Sequence, residues 1–169
     1  EKAPNFSLPD KSGIPVELSK LLKTPVEDET ASQDRWVLLV FYRGYWCPLC
    51  NADLRSLQEH LQEFTTRGVR IVAVSADPPD VTRKHVDKLG YSFLFLSDTQ
   101  TQVIRRYGLL REGEGSRPAD VARPAQFLVD SSGTIRWVNL TKDHEVRLRP
   151  EQLLEVIDAL TPAPASAPQ

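Results

Sequence analysis

Trp36-Val37-Leu38-Leu39-Val40-Phe41-Tyr42 is a run of seven apolar or aromatic residues with no polar alternation. A strand with one wet face alternates, whereas a short β-branched and aromatic run is a strand covered on both faces. Such a strand belongs in a parallel sheet between helices, so the rest of the chain has to supply those layers. Arg43-Gly44-Tyr45-Trp46-Cys47 follows and leads to Pro48, which suits the first position of a helix. Leu54, Leu57, Leu61 and Phe64 mark the buried stripe of that helix, and Gly68 stands where its closing cap belongs.

Strand and helix keep alternating. Val69 to Val74 reads as a strand, Val81 to Leu89 as a helix closed by Gly90, and Phe93 to Leu96 as a short strand. Thr99 to Tyr107 reads as a helix stopped by Gly108, and Glu112 to Ala122 as a loop holding Gly113, Gly115 and Pro118. Phe127 to Asp130, the turn Ser131-Ser132-Gly133 and Ile135 to Leu140 form an antiparallel pair. Pro150 opens a last helix with Leu153, Leu154, Ile157 and Leu160 on one face. Near the start, Phe6 and Leu8 lead to a turn at Asp10 to Gly13 and a return at Ile14 to Val16, an extended hairpin. Leu18, Leu21 and Leu22 then share one helical face, and the acidic stretch around Glu27, Asp28 and Glu29 is a loop. The fold class is α/β: a mixed central sheet flanked by helices, with an N-terminal hairpin and a β-α insertion. Residues 1–160 are expected to form one domain and 161–169, rich in Pro and Ala, a disordered tail.

Charge narrows the function classes. With 21 basic and 23 acidic residues the chain is near neutral, without the basic excess of nucleic-acid or anionic-membrane binders. No apolar run nears the ~18 residues of a membrane helix. Two cysteines cannot make a disulfide scaffold. The chain has no methionine and begins at Glu1, so its start codon is expected upstream; the compartment stays open, with the cytoplasm favoured.

The chemistry is expected at Cys47-Pro48-Leu49-Cys50. A bare C-x-x-C is weak, but this one opens a helix just past a buried strand. Unpaired N–H groups and the helix dipole favour negative charge there, which lowers a thiol's pKa toward the reactive range. Cys50 lies nearly one turn on, so the two sulfurs can close a small disulfide ring. An inert buried pair is the bland reading. A zinc site needs a second short-spaced ligand pair, which is lacking, and His60, His85 and His144 read as solvated.

The segment Phe41 to Leu54, with its Trp-Cys-Pro-Leu-Cys centre, resembles the active-site segment of peroxiredoxin-like proteins. These form the alkyl hydroperoxide reductase and thiol-specific antioxidant (AhpC/TSA) group of the thioredoxin-fold superfamily. Ala3 to Leu8, Val74 to Asp77, Phe93 to Asp98, Arg106 to Gly108 and Phe127 to Gly133 add to it by order and spacing. The resemblance implies a thioredoxin-like fold and offers two registers. Laid on typical peroxiredoxins, the peroxidatic Cys falls on Cys50, the usual Thr on Cys47, the usual Pro on Arg43, and the acid after the Cys on Asp53. The distant active-site Arg of that family falls on Pro124, with Arg123 one place earlier. Laid on thioredoxins, Trp46, Cys47 and Cys50 match the redox motif, Cys47 attacks, and Pro124 stands where a cis-proline faces the dithiol.

The chain is therefore expected to be a thiol-based oxidoreductase that cycles Cys47 and Cys50 between dithiol and disulfide. Its substrate is a hydroperoxide or a protein disulfide, and its reductant an external thioredoxin or glutathione system. No metal, nucleotide or flavin is implied. Arg43 and Arg123 are candidate activators, Trp46 a shield over Cys47, and Pro48 and Pro124 shape the site. Tyr42 and Tyr45 read as core. The rival is a catalytically silent binding module on the same scaffold.

Overall fold

The computed structural model describes residues 1–24, 35–113, 120–140 and 149–161. The acidic Glu27-Asp28-Glu29 stretch, Gly115 and Pro118, His144 and the Pro/Ala tail past Thr161 lie outside the described residues. In chain order the elements are β1 (Ser7–Pro9), β2 (Pro15–Glu17), α1 (Leu18–Leu21), β3 (Trp36–Phe41), α2 (Pro48–Glu59) and α3 (Leu61–Thr66). Then come β4 (Val69–Ser75), α4 (Pro79–Leu89), β5 (Leu94–Ser97), α5 (Gln102–Arg106) and β6 (Leu110–Arg111). The last are β7 (Val121–Ala122), β8 (Ala125–Val129), β9 (Ile135–Leu140) and α6 (Pro150–Leu160).

The central sheet runs β5-β4-β3-β8-β9. β3 lies parallel to β4, and β4 to β5, while β8 pairs antiparallel with both β3 and β9. As its unbroken apolar run demands, β3 is buried along its whole length. Its alternate residues feed two cores. Leu38, Val40 and Tyr42 pack with Leu54, Leu57, Val86, Leu153 and Ile157, from α2, α4 and α6. Val37, Leu39 and Phe41 pack with Phe6, Leu8, Leu18, Val103 and Ile104, from the N-terminal hairpin, α1 and α5. Among the described residues no helix is long and apolar enough to cross a membrane.

Three local expectations change. The single helix expected up to Gly68 is broken between α2 and α3 at His60. The His60 ring places Nδ1 2.9 Å from Ser56 O, the acceptor its own amide would use in a continued helix, and His60 N–H turns to Leu57 O instead. The helix expected from Thr99 starts only at Gln102, because the Asp98 carboxylate accepts the Ile104 N–H at 2.8 Å and the chain must wind around it. Thr101 takes φ 57° to make that turn. The end of the Glu112–Ala122 loop is not loop: β7 pairs antiparallel with β6.

Candidate active site

β3 ends in the interior, with Tyr42 N–H donating to Val74 O to prolong the ladder with β4 by one bond. The chain then turns through Arg43 to Trp46. Gly44 lets the Trp46 indole pack close in that turn, since a Cβ there would stand 2.5 Å from Trp46 Nε1 and force the ring to move. Asp77, just past β4, anchors the turn by accepting the Tyr45 N–H at 2.8 Å. Burial pushes the Asp77 carboxyl up, against the lowering effect of its bonds from Tyr45 and Ser75.

Cys47 caps α2 with extended backbone, and Pro48 occupies the first turn, where a missing N–H costs nothing. The Cys47 sulfur accepts the Cys50 N–H at 3.3 Å. Both cysteines are unbridged and buried, Cys47 4% and Cys50 1% exposed. Cys50 shares the inward face of α2 with Leu54 and Leu57. One helical turn thus holds two thiols, the first at an open helix end.

Asn51 ties this turn to the rest of the molecule. Its Nδ2 donates to Tyr45 O at 2.8 Å and to Cys47 O at 3.2 Å. On the other side of the amide, Oδ1 lies 2.6 Å from His85 Nε2 and accepts from the Tyr91 hydroxyl at 3.1 Å. His85 is buried, not solvated as its sequence setting suggests, because α4 turns it inward beside Thr82 and Val86. Burial depresses its pKa. Tyr42 is core as expected, whereas Tyr45 is 49% exposed. Desolvation holds the buried Tyr42 phenol protonated against the lowering effect of nearby Ser75; among the described residues the hydroxyl has no partner in full hydrogen-bond geometry.

Arg43, Trp46, Arg123 and Pro124 lie at the same end of the sheet as the dithiol. The Arg43 guanidinium lies 5.0 Å over the half-buried Trp46 ring, which packs against the core holding both cysteines. Ala125 is in register with Phe41, so buried Pro124 stands one step past the end of β3 and half-buried Arg123 one step further. Pro124 is not the expected cis-proline: every described peptide bond is trans. Arg123 N–H donates to Leu109 O at 2.7 Å, continuing the β6–β7 pairing, and the extended chain enters β8 directly. Asp53, half-buried, lines a cavity of about 90 Å³ with Ser56, Gln126 and Arg149. His60 lies 3.2 Å from Glu151 on α6. Among the described residues no cluster of His, Cys, Asp and Glu could hold a metal ion.

The AhpC/TSA family profile matches residues 1–138. The chain belongs to the AhpC/TSA family. It is 31% identical over 139 residues to Peroxiredoxin Bcp of Escherichia coli K12, covering 80% of this chain and 81% of that protein. The crystal structure of Peroxidoxin BcpB from Mycobacterium tuberculosis superposes with a TM-score of 0.77 at 23% identity, covering 95% and 96% of the two chains. A yeast mitochondrial 1-Cys peroxiredoxin, described with a thiol resolving mechanism via glutathione/thioredoxin systems, superposes with a TM-score of 0.77 at 20% identity. That alignment covers 95% of this chain and 74% of the yeast one. As an AhpC/TSA member with a thioredoxin fold, this protein is a thiol-dependent oxidoreductase.

Four residues around the dithiol escape a sequence reading: Asn51, Asp77, His85 and Tyr91. His85 carried a signal, since Thr82, His85 and Val86 fall at i, i+3 and i+4 on one helical face. Asn51 and Asp77 lay within segments that carried the family resemblance, without roles of their own, and Tyr91 carried no signal.

Proposed function

We propose that this protein reduces hydroperoxides, with Cys47 as the attacking thiol and Cys50 as the resolving one. The observation behind this reading is the Cys50 N–H aimed at Cys47 Sγ from the open end of α2. An amide donor and a helix N-terminus both favour negative charge on that sulfur. Cys50 sits one turn in, among Leu54 and Leu57, where apolar surroundings disfavour a thiolate. The peroxiredoxin register would reverse the roles; the local electrostatics favour Cys47.

In the first step the Cys47 thiolate attacks the distal peroxide oxygen. The O–O bond breaks, Cys47 becomes a sulfenic acid, and the alkoxide leaves as alcohol after taking a proton. Cys50 then attacks the Cys47 sulfur and displaces the oxygen as water. Two thiols and one hydroperoxide have become one disulfide, one alcohol and one water. An external dithiol or glutathione system returns the pair to thiols, the class of reductant named for the yeast relative. Arg43 and Arg123 bring guanidinium donors suited to a peroxide oxygen.

A second substrate class, a protein disulfide, is favoured by one feature. Tyr45 and Leu49 are 49% and 44% exposed on either side of Trp46-Cys47-Pro48, an apolar rim that an extended peptide could cover. The test is turnover of hydrogen peroxide or tert-butyl hydroperoxide with thioredoxin and its reductase, scored beside an insulin-disulfide assay. Peroxide turnover lost in Cys47→Ser supports the reading. Insulin reduction without peroxide turnover would replace it.

A further inference from the structure

We propose that His85 is a positioning residue for closure of the Cys47–Cys50 disulfide, acting through Asn51; this rests on the dithiol reading above. Asn51 Nδ2 faces two carbonyl oxygens, Tyr45 O and Cys47 O, which can only accept. Its Oδ1 therefore faces His85 and Tyr91, and at 2.6 Å His85 Nε2 must carry the hydrogen. The tautomer is then fixed, with the lone pair on Nδ1. That atom is buried without a hydrogen-bond partner among the described residues. The ring lies among the Tyr42, Tyr45, Tyr91 and Phe95 rings, at centroid distances of 6.2, 6.4, 5.5 and 6.0 Å. Among the described residues no acceptor awaits a second proton, so His85 remains a neutral single donor.

What that donor holds is the geometry of the reacting pair. The Asn51 side chain joins the carbonyls of Tyr45 and Cys47 to α2, which also carries Cys50. Cys47 is thereby fixed relative to Cys50, and closure becomes a side-chain rotation within a preset turn. When Cys50 attacks the Cys47 sulfenic acid, the S–O bond breaks, the S–S bond forms and water departs. Without His85, Asn51 Oδ1 keeps only the Tyr91 hydroxyl, and the amide is held less firmly in the orientation that aims Nδ2 at the two carbonyls. The first step, peroxide on Cys47, needs only the Cys50 N–H beside Cys47 Sγ, which the helix backbone keeps in place through the Asn51 N–H bond to Cys47 O at 3.0 Å. The clamp therefore acts on closure alone.

The experiment is rapid-quench mixing of the reduced protein with one equivalent of hydrogen peroxide and a fixed excess of dimedone, read by intact mass. Wild type should give mainly the internal disulfide. His85→Leu should slow closure about tenfold, as loss of one buried hydrogen bond does, and raise the ratio of dimedone adduct to disulfide by the same factor. Its peroxide consumption should stay within about twofold of wild type. His85→Gln, which restores an N–H donor, should recover most of the wild-type ratio, and Tyr91→Phe should shift it modestly in the direction of His85→Leu. An unchanged ratio in His85→Leu, or no recovery in His85→Gln, overturns the proposal. Neither product in wild type would overturn the peroxide reading instead. The clamp is then read from the second thionitrobenzoate release after reaction with Ellman's reagent, where closure displaces the aryl thiol. A second release equally fast in wild type and in the His85 and Tyr91 variants overturns the clamp there too.

Discussion

The two faces of the central sheet treat buried polar atoms differently. On the hairpin side, Phe41, Tyr107 and Phe127 pack ring against ring at 5.2 to 5.8 Å. The Tyr107 hydroxyl there donates to Pro4 O at 2.7 Å, and the Asp98 carboxylate accepts the Ile104 amide. On the α2 and α4 side, Tyr42 Oη and His85 Nδ1 are buried with no hydrogen-bond partner among the described residues, and both cysteines lie there. An unsatisfied buried polar atom costs about 1–3 kcal/mol. A face with only a structural task pairs such atoms. The face that carries the dithiol tolerates the cost, as functional sites commonly do.

The largest expected effect comes from the hairpin face. Phe127→Ala should cost about 3–5 kcal/mol in urea unfolding, because it removes a ring wedged between two others. Its dithiol oxidation rate per folded molecule should match wild type; a large loss of rate would mean that the two faces are not separate. The same chemical deletion on each face sharpens the comparison. Tyr107→Phe should lose about 1 kcal/mol, a satisfied hydrogen bond. Tyr42→Phe should be neutral or gain up to about 1 kcal/mol, because the hydroxyl it removes has no partner. Equal losses from both would break the contrast.

The smallest effect is a pH dependence. Burial depresses the His85 pKa, so the unfolded chain takes up this proton first as pH falls. The His85 contribution is fully present above about pH 6.5, the unfolded value, and is lost as pH falls toward the lower folded value. His60 runs oppositely: its bond to Ser56 O and the nearby Glu151 raise its pKa, so its contribution is present below about pH 6.5 and fades as pH rises through the raised value. Comparing wild type with His85→Gln cancels the His60 part. The stability of wild type relative to that variant should fall as pH drops below about 6.5, measured by thermal unfolding. A flat difference would mean that His85 is not held neutral.

Local pattern carried the architecture far. The unalternating β3, the Pro48 helix start and the Gly90 cap each follow from one segment's own chemistry, and so does the placement of Cys47 and Cys50 at a helix opening. The misses share a physical form. The break at His60 comes from a ring competing for Ser56 O, and the late start of α5 from the Asp98 carboxylate taking helix amides; residue spacing encodes neither. The bond before Pro124 is trans, where β7 passes into β8. His85 meets Asn51 across 34 residues of chain, and only the folded sheet brings α4 against α2.

The most direct test of the Cys47–Cys50 mechanism is stopped-flow oxidation of the reduced protein by hydrogen peroxide, followed by tryptophan fluorescence, with Cys47→Ser and Cys50→Ser alongside. The prediction is a phase far faster than free cysteine in wild type and in Cys50→Ser, where it ends at a sulfenic acid, and its loss in Cys47→Ser. A fast phase that survives in Cys47→Ser and vanishes in Cys50→Ser would contradict the assignment of Cys47 as the attacking thiol.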